Sequence, residues 1–173
     1  GKNGPAWNNG SCNEHGRLAQ GFIDNDVSGT DTCDFTHQHE VPPDKKVTHG
    51  KFICDHRPLK TEPFRVRLTV GGDKLPHDED AGSPAASLLE TKLIINSTIS
   101  DVDKGALFMT ADPKDHFLAS PMKHPEHVRI KWKHFPEAVR KQCNLIQFPA
   151  PDGHVHIRIK KGMHGLKQAA ILA

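Results

Sequence analysis

Two stretches of strict two-residue alternation constrain this chain more than anything else in it. In 64–70 the apolar Val66, Leu68 and Val70 alternate with Arg65, Arg67 and Thr69, and in 154–159 Val155, Ile157 and Ile159 alternate with His154, His156 and Arg158. Successive side chains of a strand point to opposite faces, so both segments predict half-buried strands, and the first puts both arginines on one face. A further strand is expected over 47–55, where Phe52 and Ile53 supply apolar positions, and an extended piece over 127–132. The run 106–111, bounded by Gly105 and Pro113, reads as a buried core strand. Asp112 would then stand at its carboxyl end, where α/β folds gather ligands and catalytic groups. The competing reading of Asp112 is a solvated strand-end carboxylate.

Helical signals alternate with these strands. A helix is expected over about 7–20, anchored by Trp7, Leu18 and Ala19, and a second over 84–99, started by Ser83 as cap and Pro84 in the first turn. Ala85, Leu88, Leu89, Ile95 and Ile99 fall near helical spacing and predict packing beneath the sheet. Short helices are expected within 113–120 and 135–145, loops over 24–34 and 73–82, and turns at 41–44, 71–72 and 149–153. The fold class is therefore α/β in the broad sense (α+β), a mixed sheet packed on helices. With 35% hydrophobic residues, 14 Gly and 13 Pro in 173 residues, the core is expected to be modest. The net charge of +2 permits nucleic-acid binding without requiring it, and the 13 histidines would make the surface strongly basic only in acid. No apolar run is long enough to span a bilayer and the first residues hold no signal-peptide core, so a soluble intracellular chain is expected, with no membrane partner. Cys12, Cys33, Cys54 and Cys143 form no Cys-x-x-Cys pair, which suits reduced thiols.

Several stretches, in order, carry a resemblance to one family. Ala111-Asp112-Pro113-Lys114-Asp115-His116-Phe117-Leu118 resembles a motif in which a strand ends in Asp and an aromatic follows five positions later. Lys161-Gly162-Met163-His164-Gly165-Leu166-Lys167-Gln168-Ala169 resembles a motif reading Tyr-Gly-Leu-(Lys/Pro)-Gln-Ala. The segment 65–72 resembles a strand carrying basic residues into a Gly turn, and Trp7, Cys12, Glu14 and 16–20 resemble an entry helix. Together they resemble the reverse transcriptase domain of copia-type retrotransposon polyproteins. The resemblance implies a fingers-like region over 1–82, with the entry helix and strands, and a partial palm over 83–173, ending before the Asp-Asp hairpin. It implies RNA-templated DNA synthesis by two-metal nucleotidyl transfer, with Mg²⁺ held by carboxylates and substrate phosphates. Asp112 would be the catalytic, metal-binding acid. Arg65 and Arg67 would meet the triphosphate, Phe117 would lie under the sugar, and Gln168 would touch the nucleotide. The implied partners are RNA/DNA primer–template, dNTP and the remainder of the polyprotein, in a cytoplasmic particle or the nucleus. Pro113 departs from the family's aliphatic residue and removes an N–H from the strand end. No Asp-Asp pair occurs in the sequence, so this chain by itself is expected to be inactive.

The chain has 13 His and no Tyr. At His49, His77, His127, His156 and His164 the resembled family carries Tyr, so the pattern reads as a mutationally decayed copy of reduced stability. Two other readings are a non-catalytic nucleic-acid-binding fragment and a small zinc module built from Cys33, His37 and His39 with Cys54 and His56.

Overall fold

The computed structural model describes residues 3–76, 87–111 and 115–169. Four helices and five strands follow one another as α1 (Gly4–Leu18), β1 (Cys33–Thr36), β2 (Val47–His56), β3 (Phe64–Val70), α2 (Leu88–Ser100), α3 (His116–Ala119), β4 (Pro121–Lys131), α4 (Glu137–Gln142) and β5 (His154–Lys161). The strands form one mixed sheet in the order β1-β5-β4-β2-β3. β2 and β4 run parallel and every other neighbouring pair is antiparallel. The architecture is mixed α+β.

Alternation does in three dimensions what it implies in one. Val66, Leu68 and Val70 of β3, Val128 and Ile130 of β4, and Val155, Ile157 and Ile159 of β5 are all buried. All of these but Val66 meet Leu18, Phe22, Phe135, Val139 and Leu145 in one core. Helix α1 starts with Pro in its first turn, where a missing N–H costs nothing, and lies against β3. The approach is close enough that a Cβ on Gly10 would overlap the Phe64 carbonyl. From the next turn the buried Glu14 carboxylate accepts the outward N–H of Leu68 at 3.0 Å. An unpaired strand edge is thereby covered by a helix and one acid.

Three sequence expectations change. Strand β1 begins inside the stretch read as an exposed loop: Cys33 pairs with Ile159, and Thr32, fully buried, accepts the Lys160 N–H at 2.8 Å. Thr and Cys in a polar context carry no local strand signal, and the pairing with β5 decides their state. The run 106–111 is not a strand, and Leu107, Phe108 and Met109 are 92%, 51% and 83% exposed. An apolar run becomes a core strand only where a neighbouring strand takes up its N–H and C=O groups, and among the described residues none pairs with it. Helix α2 is capped by Ser87, whose side chain accepts the Glu90 N–H at 3.1 Å while Glu90 accepts the Ser87 N–H at 2.6 Å. This reciprocal box fixes the helix start observed; Ser83, Pro84 and Ala85 lie outside the described residues. None of α2's residues is buried, so Leu88, Leu89, Ile95 and Ile99 do not pack beneath the sheet. No helix among the described residues is long and apolar enough to cross a membrane.

Candidate functional site

Strand β3 holds Arg65 and Arg67 on the face opposite Val66 and Leu68, both half-buried. Two other guanidiniums close to them are neutralised: Arg17 pairs with Glu14 at 3.0 Å and Glu62 at 3.6 Å, and Arg57 with Asp55 and Glu62, each at 3.9 Å. Arg65 and Arg67 have no ion pair among the described residues, and the Nε of each is buried without a hydrogen-bond partner. Burial first, and then Arg67, Arg17 and Arg57, lower the Arg65 pKa, while Glu14 opposes them. These are cations held together without enough local anion, an arrangement suited to a negatively charged ligand.

The loop after β5 is clamped against this corner. The Val70 N–H donates to the His164 carbonyl at 2.9 Å, and the Gly162 N–H to the Ser120 carbonyl at 2.8 Å. Two glycines make the clamp possible: Gly165 has φ +94°, and a Cβ on Gly72 would strike the Gly165 carbonyl. His164 is thereby set edge-on to Phe117, with ring centroids 5.6 Å apart and planes at 86°. The His164 pKa is lowered by burial first and then by Arg67 and Arg65, with Asp115 acting the other way. Arg65, Arg67, Phe117, His164 and Asp115 therefore share one neighbourhood, although their sequence segments lie far apart.

Gln168 belongs to a different set of contacts. Its Nε2 donates to Glu126 Oε1 at 3.5 Å and lies 3.8 Å from Met122 Sδ, at the start of β4. Asp112, with Pro113 and Lys114, lies outside the described residues, and the 106–111 segment leading to it is the exposed one described above. Among the described residues no group of three or more His, Cys, Asp and Glu is arranged to hold a metal ion. For the zinc reading, Cys33 faces the core with its thiol pushed up to about 12 by burial, while the His37 ring packs on Phe148 at 4.7 Å. A thiol so raised is a poor thiolate donor. Sequence reasoning did not find the Glu14–Arg17–Arg57–Glu62 ion network that surrounds Arg65. Its members come from α1, β2's exit turn and the β2–β3 connection, and only the high density of charge hinted at it.

Compared with known proteins, the chain matches no family model, no curated sequence and no solved structure.

Proposed function

We propose that this chain is the fingers and partial palm of a copia-type reverse-transcriptase-like polymerase, and that it binds a nucleoside triphosphate through Arg65 and Arg67. What supports the reading is convergence. Of three stretches that resemble separate motifs of one polymerase family, 162–165 packs against Phe117 and the end of β3, and Arg65 and Arg67 act electrostatically on its His164. Two guanidiniums without ion pairs among the described residues provide forked donors for phosphate oxygens, and Phe117 lies edge-on to the His164 on which they act. Gln168 is assigned no nucleotide contact in this reading, because its amide is engaged at β4. Asp112 is the acid proposed to hold Mg²⁺, and the chemistry that ion supplies is charge stabilisation at the transferring phosphate. The sequence holds no Asp-Asp pair, so this 173-residue chain is expected to bind nucleotide without incorporating it.

Titration calorimetry with dATP tests the binding. A charge-assisted hydrogen bond contributes about 1.5–3 kcal/mol, so Arg67→Ala is expected to weaken binding by about tenfold or more. Absence of dATP binding by the unaltered chain removes the nucleotide site. Primer extension on an RNA template tests the second part: incorporation that disappears in Asp112→Asn would show a working carboxylate cluster and overturn the inactive reading.

A further inference from the structure

The sheet has one apolar face and one cationic face. Opposite the core, strand alternation places Lys51, Arg65, Arg67, Arg129, Lys131 and Arg158, and the face carries only Asp34 and Asp55 as strand carboxylates. Four histidines stand among these cations, His49 exposed, His154 half-buried and His127 and His156 buried between their neighbours, and no Phe or Trp does among the strand residues of the face. The corner made by β2, β4 and β5 is the most unusual part. There His49 lies beside Arg129 across the parallel β2–β4 pair, and Lys131 is the partner of His154 across the β4–β5 pair. Arg129 Nη2 is 3.4 Å from His49 Nε2. A guanidinium can only donate, so in this contact His49 is the acceptor and its Nε2 carries no proton. The other end of the fork, Nη1, is 3.3 Å from Asp152 Oδ2, which also lies 3.1 Å from His154 Nδ1, while Asp152 Oδ1 accepts the His154 backbone N–H at 3.1 Å. One carboxylate thus serves two groups, while Lys74 and Lys131 have no ion pair among the described residues.

We propose that this corner is a proton-gated docking surface for the phosphate backbone of a nucleic acid duplex. Protonation of His49 removes the acceptor that holds Arg129, turns the contact repulsive and adds a charge to the face. The groups facing His49 are Arg129 and Lys131 from β4, His154 from β5 and Lys74 from the turn after β3, and all favour its neutral form; partial burial is the first cause of its lowered pKa. A phosphate chain laid across the corner reverses that balance, so binding takes up a proton and tightens as pH falls. Among its described strand residues the face offers imidazoles but no Phe or Trp, so the large rings on which unstacked bases lie best are missing, which favours a duplex read through its backbone over a single strand. Ile53 is the one large, exposed apolar side chain among the strand residues of the face, too little to insert into a lipid surface. The residues differ from those of the Arg65–Arg67 site, and the surface stands whether or not the polymerase reading does.

Fluorescence anisotropy of a short labelled DNA duplex of arbitrary sequence, at constant ionic strength and about pH 6 and about pH 8, brackets the ordinary imidazole value of about 6.5. Binding is expected to be up to about tenfold tighter at the lower pH, the factor supplied by a one-unit rise of one imidazole pKa on binding. His49→Gln keeps a neutral acceptor for Arg129 and is expected to flatten the pH dependence while leaving the affinity at the higher pH unchanged. Lys131→Gln is expected to weaken binding at both, and circular dichroism at each pH verifies that the variants are folded. Equal affinity at the two pH values, pH dependence surviving in a His49→Gln/His154→Gln double variant, or preference for phosphatidylserine vesicles over the duplex would overturn the proposal. Arg65→Gln with Arg67→Gln separates the two sites: loss of dATP binding with the duplex pH dependence intact supports both, whereas joint loss makes them one surface and overturns the separate corner.

Discussion

Buried histidine is the residue-scale feature that ties this molecule's stability to pH. His15 sits between Phe52 and Phe135, its Nδ1–H donating to the Ser11 carbonyl at 2.7 Å and its Nε2 buried without a partner. Burial lowers its pKa to about 4. His127 and His156, each 4% exposed with an unpartnered Nδ1, are also lowered, mainly by burial. The unfolded chain takes up protons near pH 6.5 while these folded imidazoles do not. Their contribution to stability is therefore complete above that value and is lost as pH falls from about 6.5 toward about 4, on the order of 3 kcal/mol for His15. Urea unfolding at neutral and mildly acid pH is expected to show this loss. His15→Phe is expected to reduce it, and His127→Tyr with His156→Tyr to reduce it further while raising stability at neutral pH by replacing orphaned ring nitrogens. An unchanged acid slope in both variants would show that other groups govern acid unfolding. The substitutions at 127 and 156 also test the reading of this chain as a decayed copy, since only positions that once held Tyr should accept it without strain.

At the scale of elements, the decisive junction is the loop of 162–165 laid across the end of β3. It depends on backbone approach at Gly72 and Gly165, where any Cβ would collide with main-chain atoms. Gly72→Ala is expected to lower stability by about 1–3 kcal/mol, the common range for a steric substitution in packed structure, and to detach His164 from Phe117. Because Arg65 and Arg67 lie on the strand itself, dATP affinity should fall less than in the arginine variants. Hydrogen exchange at Val70, whose N–H donates to the His164 carbonyl, reports the detachment directly. Protection of that amide equal to the unaltered chain would refute the role assigned to the clamp. Helix α2 stands in contrast: its capping box is complete and its apolar residues are exposed, so its local signals are satisfied while its tertiary ones are not.

Across the whole molecule, the sheet joins the two halves that the resemblance separates. β1, β2 and β3 precede residue 82 and β4 and β5 follow it, yet β2 pairs with β4 and β1 with β5. Leu68, Val70, Val128 and Ile157 share one core. Urea unfolding is therefore expected as a single transition, with near- and far-ultraviolet circular dichroism coincident. Two separated transitions would show that the regions 1–82 and 83–173 are independent folding units.

What the sequence determined by itself was local geometry. Period-two alternation gave β3 and β5 and placed Arg65 and Arg67 on one face, because strand geometry maps sequence parity directly onto space. The turns at 71–72 and 149–153 followed from Gly and Pro signals that act within a few residues, and helix α1 from apolar anchors such as Trp7 and Leu18. Tertiary structure alone decided partnership. The same kind of apolar spacing that made β3 a core strand left 106–111 exposed, because hydrophobicity states that a face must be covered and does not name the cover. The polar Thr32 and Cys33 entered the sheet for the converse reason, since β5 supplied the donors and acceptors they met. Phe117 and His164 join Arg65 and Arg67 only because two glycines let the 162–165 loop cross β3, whereas Gln168, a few residues later, is drawn to β4. Contacts between segments a hundred residues apart depend on the sum of burial and hydrogen bonding over the whole core, a quantity no window of sequence contains.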